Sequence, residues 1–406
     1  MTTKTKKSKS KSADITEAKE GAFSFTSDAA TFNQQLSKVL SVTAFSYASD
    51  SEKHHLLMSS KGKVFLVGLS PETFVCVELK VDEKPKATGC FGFDISTLQG
   101  LLKRRDAMSF EFANNTLKLR ALKGKYSCDL KTVEVPKEYL TRINKTLSQT
   151  SKGDKLSSEE LDALKDAIAH TSLREVYMDD KDNSLLCYIT VSNGRLTVSA
   201  MDNFHMAHYE AKIKSKSTFR LAISSSMFAL ISKFVADSEQ AATFGLGAKG
   251  LSVSGDDFIV NLPPSQVEDT HFGLVPTFLK NIVKSECDFG LPQTAFDTID
   301  NMKSLARNDE KFQFQLSSKG IVKLTIETDN GTVSDAFKAS DAHVKKDQKW
   351  NIDPRLFFDL YKKIRTLKCD IPISLHSAAR SAESAFFITK LSLSKTSRVT
   401  LVGTYE

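Results

Sequence analysis

Three stretches of this chain are variations on one pattern, and that repetition constrains its fold more than any single motif. They are "KGKVFLVGLSPETF", "NGRLTVSAMDNF" and "KGIVKLTIETDNG", led by Gly62, Gly194 and Gly320 at spacings of 132 and 126 residues. After each glycine, apolar residues alternate with polar or small ones: Val64 and Leu66; Leu196 and Val198; Val322, Leu324 and Ile326. A period of two predicts a strand with one buried face. Each strand runs into a polar break (SPET, MDN, TDNG), and a further strand follows.

A second signature recurs downstream. "FGFDISTLQGLLKRR", "FRLAISSSMFALISKF" and "WNIDPRLFFDLYKKIR" open with an aromatic-x-apolar triplet, and the leading aromatics Phe91, Phe219 and Trp350 are 128 and 131 residues apart. Asp or Ser follows as a helix cap, then apolar residues at helical spacing. An earlier amphipathic helix precedes each glycine-led strand, with Phe32, Leu161 and Phe296 near the start of its apolar face. Each unit therefore reads helix–strands–helix–strands. The expected class is α+β: three tandem modules, each with two helices packed on antiparallel sheet. Residues 1–20 are expected to form a disordered basic tail, and the modules to span 21–145, 146–270 and 271–406. The boundaries fall in the Ser/Thr/Lys-rich stretch 146–158 and around "PPSQVEDTHFGLVP" at 263–276.

Composition excludes several classes. Six scattered cysteines, with no C-x-x-C and no Cys/His cluster, argue against a zinc site or a disulfide framework and for a reducing compartment. No apolar run approaches the roughly 18–20 residues a membrane span needs, and the N-terminus lacks a signal-peptide core. The net charge of +7 owes five units to lysines in the first twelve residues, leaving +2 for the remainder. The tail is either solubilising or a contact for a polyanion, and nucleic-acid binding by the body must come from local basic clusters. No phosphate loop, G-x-S-x-G or H-E-x-x-H motif is present, and "GLGAKG" lacks P-loop spacing. His54 and His55 are expected to cap the entry of a strand. Asp202, Asn203, His205 and His208 could pass for a metal or acid–base site. Asp202 and Asn203, however, occupy the break that SPET and TDNG occupy in the sister units, where Asp and Asn favour turns. His205 and His208 are an odd number of positions apart on the next strand, so they are expected on opposite faces. The cluster reads as a turn, with no metal, no cofactor and no enzyme.

The tandem modules resemble the bacterial sliding clamp, the beta subunit of DNA polymerase III. "AMDNFHMA" (200–207) is similar to that family's "ATDGHRLA" segment, keeping Ala200, Asp202 and Ala207 with Met206 for the leucine. "FRLAISSSMFALISKF", "LARNDEKFQFQLSSKGIVKLTI" and "WNIDPRLFFDLYKKI" are similar to further clamp segments. Asn203, Phe204 and His205 replace the family's Gly, His and Arg, and the chain ends "RVTLVGTYE" in place of a Met-Pro-rich terminus. The resemblance spans about residues 21–406 and suggests a divergent, phage-type clamp acting in the cytoplasm at the nucleoid, or in host cytoplasm.

The resemblance implies a head-to-tail homodimer, a DNA polymerase processivity factor whose six modules close into a ring around double-stranded DNA, helices inside. Sequence-independent phosphate contacts would then fall to Lys38, Lys103, Arg104, Arg105, Lys165, Lys233, Lys303, Arg307, Lys362, Lys363 and Arg365. The helix "SSEELDALKDAIA" dissents, being acidic at Glu159, Asp162 and Asp166 with only Lys165 in support. The resemblance also implies docking of a DNA polymerase, and of a clamp loader, by short peptides. The pocket carried across by position comprises Met201, Phe204, Met206, Ile223, Met227, Val399, Leu401 and Val402. The dimer interface is expected at Phe110 and Phe112 of "MSFEFA" against the region of Leu305. Rival readings are a non-encircling scaffold or transcription co-activator and a nucleic-acid-processing enzyme.

Overall fold

The computed structural model describes residues 21–44, 53–103, 106–133, 135–149, 154–172, 185–201, 205–215, 217–236, 242–247, 250–281, 287–305, 311–328, 331–366, 372–377, 385–392 and 396–403. The chain divides into two compact units: residues up to Leu161 with Leu230–Pro264, and Asp162–Ala229 with Ser265 onward.

The first unit contains β1 (Phe23–Asp28), α1 (Ala29–Ala44), β2 (His54–Ser60), β3 (Lys63–Leu69), β4 (Phe74–Leu79), β5 (Gly89–Gly92), α2 (Ile95–Leu102), β6 (Ala107–Ala113), β7 (Thr116–Ala121), β8 (Ser127–Lys131), α3 (Lys137–Gln149) and β9 (Asp154–Lys155). The helix α4 (Ser158–Thr171) carries the chain into the second unit, which contains β10 (Leu186–Ser192), β11 (Arg195–Met201), β12 (His205–Lys212) and β13 (Phe219–Ser224). After α5 (Ser225–Leu230) and α6 (Ser232–Val235), the chain adds β14 (Thr243–Gly247), β15 (Gly250–Ser254) and β16 (Phe258–Leu262) to the first unit. The second unit is completed by a 3-10 turn (Asp269–Gly273), α7 (Leu274–Asn281), β17 (Cys287–Gly290), α8 (Gln293–Leu305), β18 (Lys311–Leu316), β19 (Ile321–Thr328), β20 (Gly331–Lys338), β21 (Ser340–Val344), β22 (Gln348–Ile352), α9 (Pro354–Thr366), β23 (Pro372–Ser377), β24 (Ala385–Ser392) and β25 (Thr396–Gly403).

The repeat is visible in the element order. A strand, a helix, four strands, helical structure and three strands recur from β1, from β9 and from β17, with β21 added in the last. Each repeat builds two half-sheets, such as β1-β6-β7-β8 and β5-β2-β3-β4 in the first. Half-sheets of successive repeats then join edge to edge. The antiparallel pairing of β4 with β16 makes one eight-stranded sheet, and that of β12 with β25 makes one nine-stranded sheet. These continuous sheets explain why the two compact units cut through the middle repeat and do not coincide with the boundaries expected near 145 and 270.

Local chemistry accounts for the elements. Lys61 and Gly62 (φ 50° and 75°) and Asn193 and Gly194 (φ 51° and 70°) form two-residue hairpin turns with both residues left-handed, where glycine has no Cβ to clash. In SPET, Ser70 Oγ accepts from Thr73 N at 3.0 Å and lies 2.9 Å from Thr73 Oγ1, so the hydroxyls close the break. Asp94 caps α2 by accepting from Thr97 N at 2.7 Å; that bond holds its carboxyl below the usual carboxylate range. Ser157 and Glu160 form a reciprocal capping box at the start of α4.

α1 buries Phe32, Leu36, Val39 and Thr43 along one stripe. A Cβ at Gly68 would lie 2.6 Å from Val39 Cγ1, so glycine lets α1 sit directly on β3. Beneath it, Phe25 stacks on Phe110 at 4.6 Å and Phe23 on Phe112 at 4.9 Å, forming an aromatic core. In the second unit α8 and α9 pack together, the Tyr361 hydroxyl donating to Phe296 O at 3.0 Å. No helix among the described residues is long and apolar enough to cross a membrane.

Candidate functional site

The polar segment 200–208 lies at a chain reversal. Met201 ends β11, His205 begins β12, and Met201 and Met206 are paired across the hairpin. Asp202, Asn203 and Phe204 lie outside the described residues. His208 is buried, with Nδ1 2.8 Å from Ser199 Oγ, and burial lowers its pKa. Among the described residues no group of three or more His, Cys, Asp or Glu side chains could hold a metal ion.

The strand pairing brings the backbones of most expected pocket positions together. Across β12 and β25, His205 faces Val402, Met206 faces Leu401 and His208 faces Val399. Two of the expected anchors are core instead: Ile223 is fully buried on β13, paired with Cys187, and Met227 is buried in α5. Their side chains are covered by the chain itself, as is that of Met206. Sequence reasoning missed α7, which had read as linker. It rests Val275, Phe278 and Leu279 against Met201 and Met206. The spacing of those three residues on one helical face was the available signal.

The expected basic residues divide. Lys38 lies on α1 and Lys103 follows α2; these helices adjoin, with Gln99 Nε2 3.4 Å from Ser37 Oγ. Lys103, Lys233 on α6 and Lys362 on α9 are exposed. Lys165 on α4 lies 4.0 Å from Asp162, an exposed pair of small energetic weight. Arg104, Arg105 and Arg307 lie outside the described residues, as do the side chains of Lys303 and Arg365.

Lys363 departs from the expectation. Its side chain is 9 % exposed, and its ammonium donates to Ser172 O at 3.0 Å and pairs with Asp359 at 3.6 Å, with its pKa lowered chiefly by burial. It is committed to the protein, because the sequence spacing that put it beside exposed Lys362 could not show the end of α4 lying against it.

The expected dimer residues also need correction. Phe110 and Phe112 are fully buried in the aromatic core, and their strand β6 is paired on both sides, with β1 and β7. Alternation along "MSFEFA" identified a one-sided strand correctly, but the covered face points inward. The side chain of Leu305 lies outside the described residues.

Two other strands offer unpaired edges. The two internal seams share one register: Cys76 faces Ile259 and His208 faces Val399, and Cys76 and His208 each lie fourteen residues after their hairpin glycine. The strand equivalent to β4 and β12 in the last repeat is β20, whose residues Gly331–Ala336 are all exposed. The strand equivalent to β16 and β25 in the first repeat is β8, also at a sheet edge. Among the described residues nothing pairs with either outer edge.

No family model and no curated protein sequence matches the chain. Solved structures do match. The DNA polymerase sliding clamp of Bacillus subtilis aligns with a TM-score of 0.72 at 14% identity, over 95% of this chain and 100% of that one. The C. crescentus beta sliding clamp gives 0.71 at 12% identity, again over 95% and 100%. The beta subunit from DNA polymerase of Streptococcus pyogenes gives 0.69 at 13%, with the same coverage. With sequence identity this low and coverage this complete, what the likeness establishes is architecture: this chain has the fold of the DNA polymerase III beta sliding clamps.

Proposed function

We propose that the chain is a sliding clamp: a non-catalytic processivity factor that closes as a head-to-tail homodimer around double-stranded DNA and tethers a DNA polymerase to it. The observation that carries this reading is the pair of internal seams with their two unpaired counterparts. β4–β16 and β12–β25 join half-sheets of successive repeats in one register. β8 and β20 are the same two kinds of strand, each unpaired on its outer edge among the described residues, and unpaired edges favour addition of another strand. A second copy supplies the missing strand at each edge and closes the ring with no new kind of contact.

The internal seams fix the register of the proposed ones. Val75 faces Val260 in the first seam. Val333 is the counterpart of Val75, and Cys128 that of Val260, because the two-residue connections after Ala113 and Gly247 align β7 and β8 with β15 and β16. Cys128 of one copy is therefore expected opposite Val333 of the other. Enclosure needs only weak phosphate contacts, which Lys38, Lys103, Lys233 and Lys362 supply, and their strength falls with salt. Partner proteins and a clamp loader dock through short apolar-anchored peptides near Met201, Met206 and the end of β25, where anchors offset the lost freedom of the peptide.

The test combines cross-linking with topology. Val333→Cys under mild oxidation should give covalent dimers, and Cys128→Ser should abolish them. The cross-linked ring should stay on nicked circular DNA and leave when that DNA is linearised. A monomer, or equal retention on linear and circular DNA, would overturn the reading.

A further inference from the structure

The outer face of the β10–β12 sheet is covered by the 3-10 turn and α7. Register aligns Leu186, Met201 and Met206 in one row and Tyr188, Ser199 and His208 in the next. Over the second row lies the 3-10 turn, with His271 and Phe272 centroids 6.4 and 5.5 Å from the Tyr188 ring. Over the first lies α7, whose Val275 is buried with Met206 while Met201, Phe278 and Leu279 are only partly covered. This cluster is separate from the large core of α8, α9 and β18–β22. The 3-10 turn buries no residue, and Leu274 remains 44% exposed. Among the described residues α7 thus seats Val275 fully, and Phe278 and Leu279 partly, on a methionine-lined surface that adapts to different apolar shapes.

We propose that α7 is a resident, exchangeable occupant of this face, and that partner peptides bind by taking its place. This rests on the docking reading above and adds its regulation and the chemistry of its ligand. The partner segment is a short helix-compatible peptide with an aliphatic residue followed three and four positions on by Phe and Leu, copying Val275, Phe278 and Leu279. Occupation by a segment of the same chain lowers the apparent affinity of a competitor by the fraction of time the face is free.

The test uses the full-length chain without DNA, so loss of ring closure leaves it intact. A fluorescein-labelled peptide of residues 270–281 is titrated against wild type and Val275→Asp by anisotropy. Unseating α7 should raise affinity for the peptide at least about tenfold if the helix is docked nine-tenths of the time or more. Adding Met201→Asp to Val275→Asp should remove the gain. Thermal unfolding checks that the variants fold, and Leu279→Asp at the half-buried position repeats the comparison should Val275→Asp not fold. Equal binding to wild type and to the unseated variant, or no binding to the unseated variant, would overturn the proposal.

Discussion

The same corner is built twice in this protein, once left open and once filled. In the first unit it lies where α1 ends beside the start of β2. Thr43 Oγ1 meets His55 Nε2 at 3.0 Å, His54 rests on Tyr139 at 4.2 Å, and a cavity of about 630 Å³ opens between Leu40, Leu56, Phe93, Asp94 and Val135. In the second unit it lies where α4 ends beside the start of β10. Cys187, which like His55 is seven residues before its hairpin glycine, points its thiol at Thr171 O. Here Lys363 reaches in from α9 and caps Ser172 O. An imidazole and a thiol at equivalent positions thus meet different surroundings. Burial, with neighbouring His54, depresses His55 to about 4, and burial raises Cys187 to about 11. Both groups are neutral at pH 7. Equivalent backbone fixes where a side chain starts, and the neighbouring element decides what it can do.

Four measurements would break or sharpen that contrast. Lys363→Ala should be the most damaging, costing about 3–5 kcal/mol in urea unfolding, because it strands Asp359 and the Ser172 carbonyl. Lys363→Met, which keeps the stem but strands the same two groups, should lose nearly as much; a clearly smaller loss would mean that packing rather than charge holds the corner. The open corner should respond to acid instead. Because the folded-state pKa of His55 lies below its unfolded value, the unfolded chain binds the extra proton first. Stability is then full above about pH 6.5 and lost as pH falls toward 4, by up to about 3 kcal/mol. His55→Gln should flatten that part of the profile, and an unchanged profile would remove His55 as its cause. Cys187→Leu should cost about 1–3 kcal/mol by overpacking the filled corner. Ala44→Leu, beside the cavity, should change stability by less than about 0.5 kcal/mol. A large penalty there would show that the first corner is as full as the second.

Legibility followed the range of the interactions. The glycine-led hairpins, the Asp94 cap and the amphipathic helices depend on neighbours a few residues away, so spacing revealed them. α3 escaped because it lies outside the two repeated signatures; Tyr139 and Ile143 pack on the β2–β4 cluster, and Pro136 before the helix was the unused signal. α7 escaped for the same reason. Lys363 looked like its exposed neighbour Lys362, and Phe110 looked available for a partner, since a sequence does not say which elements lie opposite. The candidate docking face was half legible: Met201 and Met206 could be placed by position, but Val275, Phe278 and Leu279 became part of it only through packing.

What the sequence determined by itself is the threefold order of helices and strands and the turn at 200–208, because periodicity and turn chemistry are local. Only the tertiary structure decided that half-sheets of successive repeats fuse at β4–β16 and β12–β25, that β8 and β20 keep open edges among the described residues, and that one conspicuous lysine is sealed inside. The two fusions depend on backbone hydrogen bonds between strands more than 180 residues apart. Such bonds form between peptide groups common to every residue, so no side-chain pattern announces them.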